Sequence, residues 1–182
     1  MDLRPEIQLQ SMIKAMTEVV MPAVDSDNDL ACEQAQLVIG MLHLMAARLP
    51  WQFHFDVDAL ARALQLSSDI CRDADGGPET RAAVAALNDT TTKGNAVLAG
   101  AKSSPQDLEE TLLKLRSETA HALEALHADG EQKSCKAIGR AVLTAARDQI
   151  ERERAWFSPQ GWDTEAEAPP PLETLLGSHP KV

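Results

Sequence analysis

The stretch SPQDLEETLLKLRSETAHALEALHADG (residues 104–130) carries the signals that decide the fold of this chain. Ser104 is a good N-cap, Pro105 suits the first helical position, and Asp107 places an acid in the first turn. Gly130 is typical of a helix end. On a helical wheel the leucines lie in one direction: Leu108, Leu112, Leu115, Leu123 and Leu126. The stretch therefore predicts one long amphipathic helix that buries its leucine face.

The rest of the chain has a similar composition. Ala, Leu, Glu and Gln are frequent, and the alternating apolar runs of β-strands are almost absent. Prolines, glycines and short polar clusters divide the chain into predicted helices over about 5–21, 29–49, 56–73, 78–102, 105–129 and 131–157. Their connections are short, which favours antiparallel neighbours. The sequence predicts an all-α protein, a bundle of about six helices that forms one domain over residues 1–157.

The second predicted helix, residues 29–49, is apolar almost all the way round. Its large apolar residues are Leu37, Val38, Ile39, Met41, Leu42, Leu44 and Met45. A helix without a polar face is usually central, or is covered on a second side by a partner. We therefore expect this helix at the centre of the bundle. We also expect a second subunit to cover it further, so that the protein is a homodimer.

Residues 158–182 differ from the rest of the chain. They contain five prolines and the acidic stretch 163–167. The triple proline 169–171 excludes helix and favours polyproline II. We predict an extended or disordered tail with one short apolar piece, which contains Leu172, Leu175 and Leu176. These leucines can pack on a groove of the same chain or on another protein, and both options stay open.

Net charge and cysteine usage exclude several classes of protein. The chain has 17 Lys and Arg against 28 Asp and Glu, a net charge of −11, which opposes binding to nucleic acid or to anionic membranes. No run of 18 apolar residues and no secretory signal are visible, so we expect no membrane span. Three separated cysteines, Cys32, Cys71 and Cys135, favour reduced thiols. The sequence predicts a cytoplasmic protein.

Metal and cofactor motifs are weak. Glu118-x-x-His121 and Glu124-x-x-His127 have the spacing that di-iron bundles use. However, they point away from the leucine face of their helix, so a solvated face is the better interpretation. Phosphate-binding and dinucleotide-binding loops, the nucleophile elbow and the His-Glu-x-x-His motif are absent from the sequence. We predict no metal, no cofactor and no catalytic residue.

Several polar residues fall on apolar helix faces. Asn88, Thr91 and Asn95 interrupt the stripe of the fourth predicted helix, and Gln149 and Glu153 lie among apolar residues of the sixth. Buried polar groups need partners, so two such rows at mid-bundle can form the polar layer of a small-molecule or catalytic pocket. Alternatively, the fourth helix breaks at residues 88–95, because Thr, Asn and Gly are poor helix formers, or the layer is purely structural.

All six aromatic residues lie in two short stretches at predicted helix ends. The first contains Trp51, Phe53 and Phe55, and the second contains Trp156, Phe157 and Trp162. We interpret them as a partner-binding surface and expect the two groups to meet in one aromatic cap. His54, between Phe53 and Phe55, is a titratable candidate for ligand binding in the same predicted loop.

Two further patterns carry alternative functions. Residues 56–72 are similar to a bacterial helix-turn-helix with Gln65 at the turn, which suggests a DNA-binding regulator. The would-be recognition helix is acidic, so we consider nucleic acid an unlikely partner. A row of basic residues on the last predicted helix is either a solvated face paired with acidic neighbours or a dock for an acidic partner. Its members are Lys133, Lys136, Arg140, Arg147 and Arg154.

The first fifty residues resemble small all-helical bacterial proteins of unknown function. Residues 19–23 (VVMPA) close one helix, and a long apolar helix then ends in residues 46–49 (AARL). Relatives of that type accompany genes for acyl-CoA dehydrogenase-like and phosphotransferase-like proteins, which implies an accessory role in bacterial catabolism. The resemblance carries over no site residue. Our leading expectation is a non-enzymatic accessory or interaction protein that acts through its helix faces and its tail.

Overall fold

The protein is all-α, as predicted. A computed structural model describes residues 4–100 and 103–176. Its main helices are α1 (Pro5–Ala15), α2 (Asp29–Arg48), α3 (Gln52–Asp73), α4 (Pro78–Ala99), α5 (Pro105–Asp129), α6 (Gln132–Phe157) and the short α7 (Leu172–Leu175). A π-helical segment, Met16–Val20, and a final turn, Met21–Ala23, continue α1. Within this described part no β-strand is formed, and the prediction of about six main helices is confirmed.

The start of α5 has the predicted chemistry. The Ser104 side chain accepts a hydrogen bond from the Asp107 backbone N–H at 3.2 Å, and the Asp107 carboxylate accepts one from the Ser104 N–H at 2.8 Å. This reciprocal capping box satisfies two backbone donors that the first helical turn leaves without partners. The cap lowers the pKa of Asp107, because the hydrogen bonds from Ser104 favour the charged carboxylate.

The predicted loop at residues 51–55 is wrong, because this segment is helical. A 3-10 turn, Leu49–Trp51, leads from α2 directly into α3, so Asp56 lies inside a helix rather than at its start. Pro50 lies in the first positions of that turn, where its missing N–H breaks no helical hydrogen bond. The proline is therefore accommodated within a continuous helical run rather than ending it.

The predicted break in α4 is also wrong, since the helix is continuous through residues 88–95. Threonines that disfavour helix in isolation are accommodated here by local hydrogen bonds: Thr91 Oγ1 lies 2.8 Å from the Leu87 carbonyl oxygen, and Thr92 donates to that of Asn88. Gly94 is buried, and a Cβ there would lie 2.8 Å from Leu64 Cδ2. Tertiary packing therefore overrides local propensity in this segment.

The chain divides into two compact units, one of residues 4–52 with 151–176 and the other of residues 53–150. The boundaries lie at the start of α3 and inside α6, so they follow no break that the sequence signals. The second unit has a continuous aliphatic core: Leu60, Leu64, Ile70, Leu87, Leu108, Leu115, Ala122, Leu126 and Ile138. The predicted leucine face of α5 supplies three of these positions and Ala122 of the same helix a fourth, and α4 and α5 pack closely against each other.

Two turns of the second unit are joined to each other. The Gly77 N–H donates to the Asp129 carbonyl at 2.9 Å, and the Glu131 N–H donates to the Asp75 carbonyl at 2.8 Å. Gly76 and Gly130 pair as an antiparallel bridge, and a Cβ on Gly76 would lie 2.7 Å from the Gly130 Cα. The glycines are needed for this close approach, and Gly130 is not in the left-handed region that a C′ glycine often adopts.

The first unit contains α1, α2, the end of α6 and the tail. Here α1 packs on one face of α2, and few apolar side chains are fully buried. The predicted extended tail is partly ordered: a 3-10 turn, Ser158–Gln160, follows α6, and Leu172 in α7 is only 2% exposed. This part of the tail therefore packs on its own chain. Residues 177–182 lie outside the described residues.

Candidate functional site

The first unit exposes an apolar stripe along α2. Its apolar members lie between 46% and 67% exposed: Leu30, Leu37, Val38, Met41 and Met45. At 100° per residue they fall on an arc of about 100°, with Gln34 as the one polar member. Of the charged residues of α2, Asp29 and Glu33 lie outside this arc, and Arg48 follows it only after the last apolar member. We call these five apolar residues and Gln34 the α2 stripe.

Among the described residues, the face of α2 that carries the α2 stripe is covered by other parts of the chain only at its carboxyl end. Leu44 and Arg48 continue the same direction of the helix and are 5% and 9% exposed. Arg48 contacts the end of α6, and Gln160 after it donates to the Gly40 carbonyl oxygen at 3.2 Å. The chain therefore buries one end of this face against its own residues and leaves the other end open to solvent.

Arg48 is a buried cation that holds the end of α6. Its Nε donates to the Trp156 carbonyl at 2.7 Å, and its Nη2 donates to the Ala155 carbonyl at 2.8 Å and to Ser158 Oγ at 3.2 Å. Its guanidinium carbon lies 5.8 Å from the centroid of the Trp156 ring. Burial lowers the pKa of Arg48, and the charge of Glu173 in α7 opposes that shift. The cation thus satisfies carbonyls at a helix end, where positive charge is favourable.

The predicted polar layer forms only in part. Thr91 is buried beside Ser67, with their hydroxyl oxygens 3.0 Å apart, and Ser67 donates to the Leu64 carbonyl. Asn88 and Asn95 are exposed, so the expectation that they point into the core is wrong. A straight α4 directs Thr91 and Gly94 inward and turns both asparagines to the surface. Thr91 therefore serves packing within the second unit.

The remaining predicted ligand residues are dispersed. Gln149 is half-buried, Glu153 is exposed, and the two belong to different units. Ile138 packs in the core of the second unit whereas Ile150 is 58% exposed, so the apolar face that the sequence suggested for α6 faces the core only along its first part. Hence α4 and α6 do not present one facing pair of polar rows, although binding of a ligand by any one of these residues stays a prediction.

Asn88 instead lines an open cleft of about 420 Å³ within the second unit. The cleft lies between the end of α3 and the start of α4, and its lining residues are Cys71, Ala74, Thr80, Arg81, Val84, Ala85 and Asn88. Burial raises the pKa of the Cys71 thiol, which therefore stays protonated and poorly nucleophilic at neutral pH. The cleft can bind a small molecule but contains no activated nucleophile.

The aromatic residues of the first stretch lie on helices rather than in a loop. Trp51 ends the 3-10 turn, while Phe53, His54 and Phe55 begin α3, where the Phe53 and His54 rings meet edge to face at 6.1 Å. At the other end of the sequence, Phe157 and Trp162 stack with ring centroids 5.9 Å apart. Phe53 (48%) and Trp162 (75%) are among the exposed apolar residues. The single aromatic cap stays a prediction, as does the role of His54.

Two motif-based alternatives have clear structural outcomes. Residues 56–72 lie inside the uninterrupted helix α3, so the helix-turn-helix prediction is wrong. The Glu118 and Glu124 motifs lie on α5 with His121 and His127 exposed. Among residues 4–100 and 103–176, no three His, Cys, Asp or Glu side chains are grouped closely enough to hold a metal ion.

The helical run Asp29–Asp73 meets the length and composition of a membrane span. An 18-residue window in it has a mean hydropathy of 1.3 and is only 11% buried. Core helices of soluble proteins and signal sequences pass the same test, so this is weak evidence.

The 3.5-residue spacing of Leu30, Gln34, Leu37 and Met41 was the sequence signal for an open helix face, and we missed it by treating the helix as apolar all round.

No protein-family model, curated protein or solved structure matches this chain. The resemblance of the first fifty residues to small bacterial helical proteins therefore stays a prediction.

Proposed function

We propose that this protein is a non-enzymatic interaction protein that forms a homodimer through the α2 stripe. The observation that carries the proposal is the run of five apolar side chains, each about half exposed, without an ionised residue among them. Together with exposed apolar residues of α1, they present an area on the order of several hundred Å², which marks an interaction surface rather than ordinary scatter. An accessory role in bacterial catabolism remains the broader expectation.

A second copy of the chain is the occupant that fits this surface best. A twofold axis places the α2 stripe on itself, so apolar residues meet apolar residues and no carboxylate is buried. A stable dimer needs about 800 Å² from each partner. The stripe supplies much of that area, and exposed apolar side chains of the same unit can supply more: Ile7, Met12, Val19 and Val20.

A lipid surface fits less well. Helices that lie on membranes carry Lys and Arg beside their apolar face, whereas α2 has one basic residue, Arg48, and it is buried against the end of α6. The net charge of −11 adds repulsion from anionic headgroups. A membrane-spanning helix would also need apolar surroundings on every side, while α1 packs on one side of α2.

The test is the mass of the full chain in solution. Light scattering and sedimentation velocity should give a concentration-dependent dimer, twice the 19.7 kDa of one chain. Leu37→Glu should weaken the dimer at least about 100-fold, because it places a charge in an apolar contact. Leu113→Glu is the matched control, since Leu113 on α5 is 57% exposed and Leu37 is 59% exposed.

Two results would contradict the proposal. One is a wild-type chain that stays monomeric at about 100 µM, well above the dissociation constant of a functional dimer. The other is equal weakening by Leu37→Glu and Leu113→Glu, which would assign the contact to another surface. Binding of wild type to neutral lipid vesicles, lost in Leu37→Glu, would identify a membrane as the occupant instead.

A second candidate function is binding of a small molecule in the Asn88 cleft. Arg81 and Asn88 are separated by two helical turns, about 10 Å along α4, with Val84 and Ala85 between them. This order suits a ligand with an anionic end, an apolar middle and a polar end. Thermal-shift titration with hexanoate and octanoate would test it. An increase in the melting temperature of wild type that is absent in Val84→Asp would support ligand binding in the cleft. An unchanged melting temperature with both acids would count against it.

A further inference from the structure

The exposed side of α6 in the second unit combines positive charge with apolar groups. Six residues lie on one arc of about 100° along this helix. They are Lys133, Lys136, Arg140, Leu143, Arg147 and Ile150, and all six are exposed. Leu143 is 72% exposed, and Ile150, two turns further on, is 58% exposed. We call this group the α6 basic face.

None of the four cations of this face lies in an ion pair within the described residues. The ion pairs present there involve other cations, such as Arg62 with Asp58 and Arg72 with Asp69. Arg140 Nε donates to the Lys136 carbonyl oxygen, which directs the remaining guanidinium donors outward. In a chain with 28 acidic and 17 basic residues, four neighbouring cations without an ion pair are an exception, and the one carboxylate on this side of α6, Glu151, lies one turn after Arg147. Direct ion pairs with acidic neighbours, one of the two alternatives for this row, are therefore not formed at these four cations.

The tail shows what a cation on α6 binds when a partner is at hand. Arg154 donates to the Asp163 carboxylate at 2.7 Å and to the Glu167 carbonyl oxygen at 2.6 Å, and both acceptors belong to the acidic part of the tail. Helix α6 therefore already binds one acidic segment, and that segment belongs to its own chain.

We infer that the α6 basic face docks an acidic, amphipathic helical segment of another protein. Leu143 and Ile150 are seven residues apart, about 10 Å along the axis, which matches apolar residues at i and i+7 of a partner helix. Around the helix the four cations lie on one side of these two apolar residues, and they pair with Glu or Asp on the corresponding side of that partner. The charge determines which partners associate, and the two apolar contacts hold the bound segment.

Other polyanions fit the face less well. Binding to nucleic acid or to an anionic membrane would bring the whole chain, with a net charge of −11, against a dense array of phosphates. The face carries no aromatic side chain on which a base can stack. Two apolar side chains are also few for insertion into lipid. A short acidic segment meets only the local positive potential.

The experiment measures binding of a fluorescent synthetic helix to the full chain by anisotropy. The probe carries leucines at i, i+3 and i+7 and glutamates on both flanks. Two matched peptides replace every Glu by Gln or every Leu by Ser. We expect the wild-type protein to bind the parent peptide in the micromolar range and both matched peptides at least about 10-fold more weakly. Raising NaCl from about 50 to about 300 mM should weaken the parent complex several-fold.

Protein variants locate the site. Arg140→Glu with Arg147→Glu should weaken binding at least about 30-fold, and Leu143→Ser about 5-fold. The control is Lys93→Glu with Lys114→Glu, which changes the net charge equally at exposed lysines of α4 and α5 and should stay within about twofold of wild type. All positions are on the surface, and circular dichroism confirms that each variant folds.

Three outcomes overturn the inference. They are no binding of the parent peptide at about 100 µM, equal binding of the Glu-to-Gln peptide, and equal weakening by the two double variants. If the chain binds vesicles that contain phosphatidylserine but does not bind the peptide, the face would be assigned to a membrane. This face and the α2 stripe are tested by different variants, so either proposal can fail alone.

Discussion

The two units of this chain are built from similar helices but bury their apolar residues very differently. The second unit has a continuous core in which Leu60, Ile70, Leu87 and Leu115 are fully buried. In the first unit the most deeply buried apolar side chains are Ala155 and Leu172, which come from the far end of the sequence. Among the described residues, eleven of the fifteen exposed large apolar side chains belong to the first unit.

This difference teaches that a helix can be fully formed while its tertiary burial is incomplete. The second unit can be stable by its own packing, because burial of each large side chain contributes about 1.5–3 kcal/mol. The first unit relies more on directional contacts, such as those of Arg48, and on whatever covers the α2 stripe. The three tryptophans distinguish the units, because Trp51, Trp156 and Trp162 all lie in the first unit.

The largest expected effect is loss of a core leucine in the second unit. Leu87→Ala should lower the free energy of unfolding by about 3–5 kcal/mol, because Leu87 is fully buried inside a close-packed core. Leu44→Ala in the first unit should cost about 2–3 kcal/mol, at the lower end of the range for buried leucines, because Leu44 keeps 5% exposure and lies outside the continuous core. Urea unfolding followed by far-ultraviolet circular dichroism measures both. Equal losses would show that the two units are packed equally well.

The second prediction concerns the cation that fastens the first unit. Arg48→Met should cost about 1–3 kcal/mol, because the carbonyls of Ala155 and Trp156 lose a charged donor. Tryptophan fluorescence should shift as well, since the guanidinium lies over the Trp156 ring. Arg116→Met is the control on the surface of α5 and should change stability by less than about 0.5 kcal/mol. A similar small change for Arg48→Met would mean that water replaces its contacts.

Much of the fold could be predicted from the sequence, since caps and breakers are local signals. Ser104 with Asp107, and Gly76 with Pro78, mark helix boundaries that the structure confirms. The errors come where tertiary contacts decide. Pro50 is compatible with a helix that restarts through a 3-10 turn, and only the packed structure shows that it does so. The division into two units has no local signal at all.

The candidate surfaces were predicted only in part. The apolar character of α2 was visible in the sequence, but which side stays open depends on where α1 and the end of α6 pack. Asn88 and Asn95 were misplaced, because a polar residue near an apolar stripe lies inward or outward according to a few tens of degrees of helix rotation. Arg48 was missed because a single arginine in a last turn is common and carries no pattern.

The third prediction compares two helical glycines of the second unit. Gly94→Ala should destabilise by about 1 kcal/mol, because contact of the new methyl with Leu64 and Thr111 costs more than the gain in helix propensity. Gly139→Ala should stabilise by about 0.5–1 kcal/mol, since a Cβ there meets nothing within 4 Å. Thermal unfolding measures both. Two changes of the same sign would show that the core around Gly94 can yield.

The smallest expected effect is a pH dependence of stability that belongs to the second unit alone. Asp129 accepts hydrogen bonds from the Thr80 hydroxyl and from the backbone N–H groups of Thr80 and Glu79, each of the latter at 2.9 Å. These bonds, with that of the Thr80 side chain as the largest cause, lower the pKa of Asp129. A carboxyl whose pKa is lower in the folded chain stabilises it fully above the unfolded value of about 3.9. That stabilisation is lost as the pH falls through the folded pKa.

Asp129→Asn should therefore unfold at a lower urea concentration than wild type at pH 7, and the gap should shrink below about pH 4. Asp89→Asn, on the surface of α4, should show no gap at either pH. Arg48, which fastens the first unit, keeps its charge throughout this pH range. Urea unfolding followed by tryptophan fluorescence reports on the first unit and should therefore give the same transition for Asp129→Asn and for wild type. If the tryptophan transition moves together with circular dichroism in this variant, the two units unfold as one cooperative body, and the contrast in their packing has no counterpart in stability.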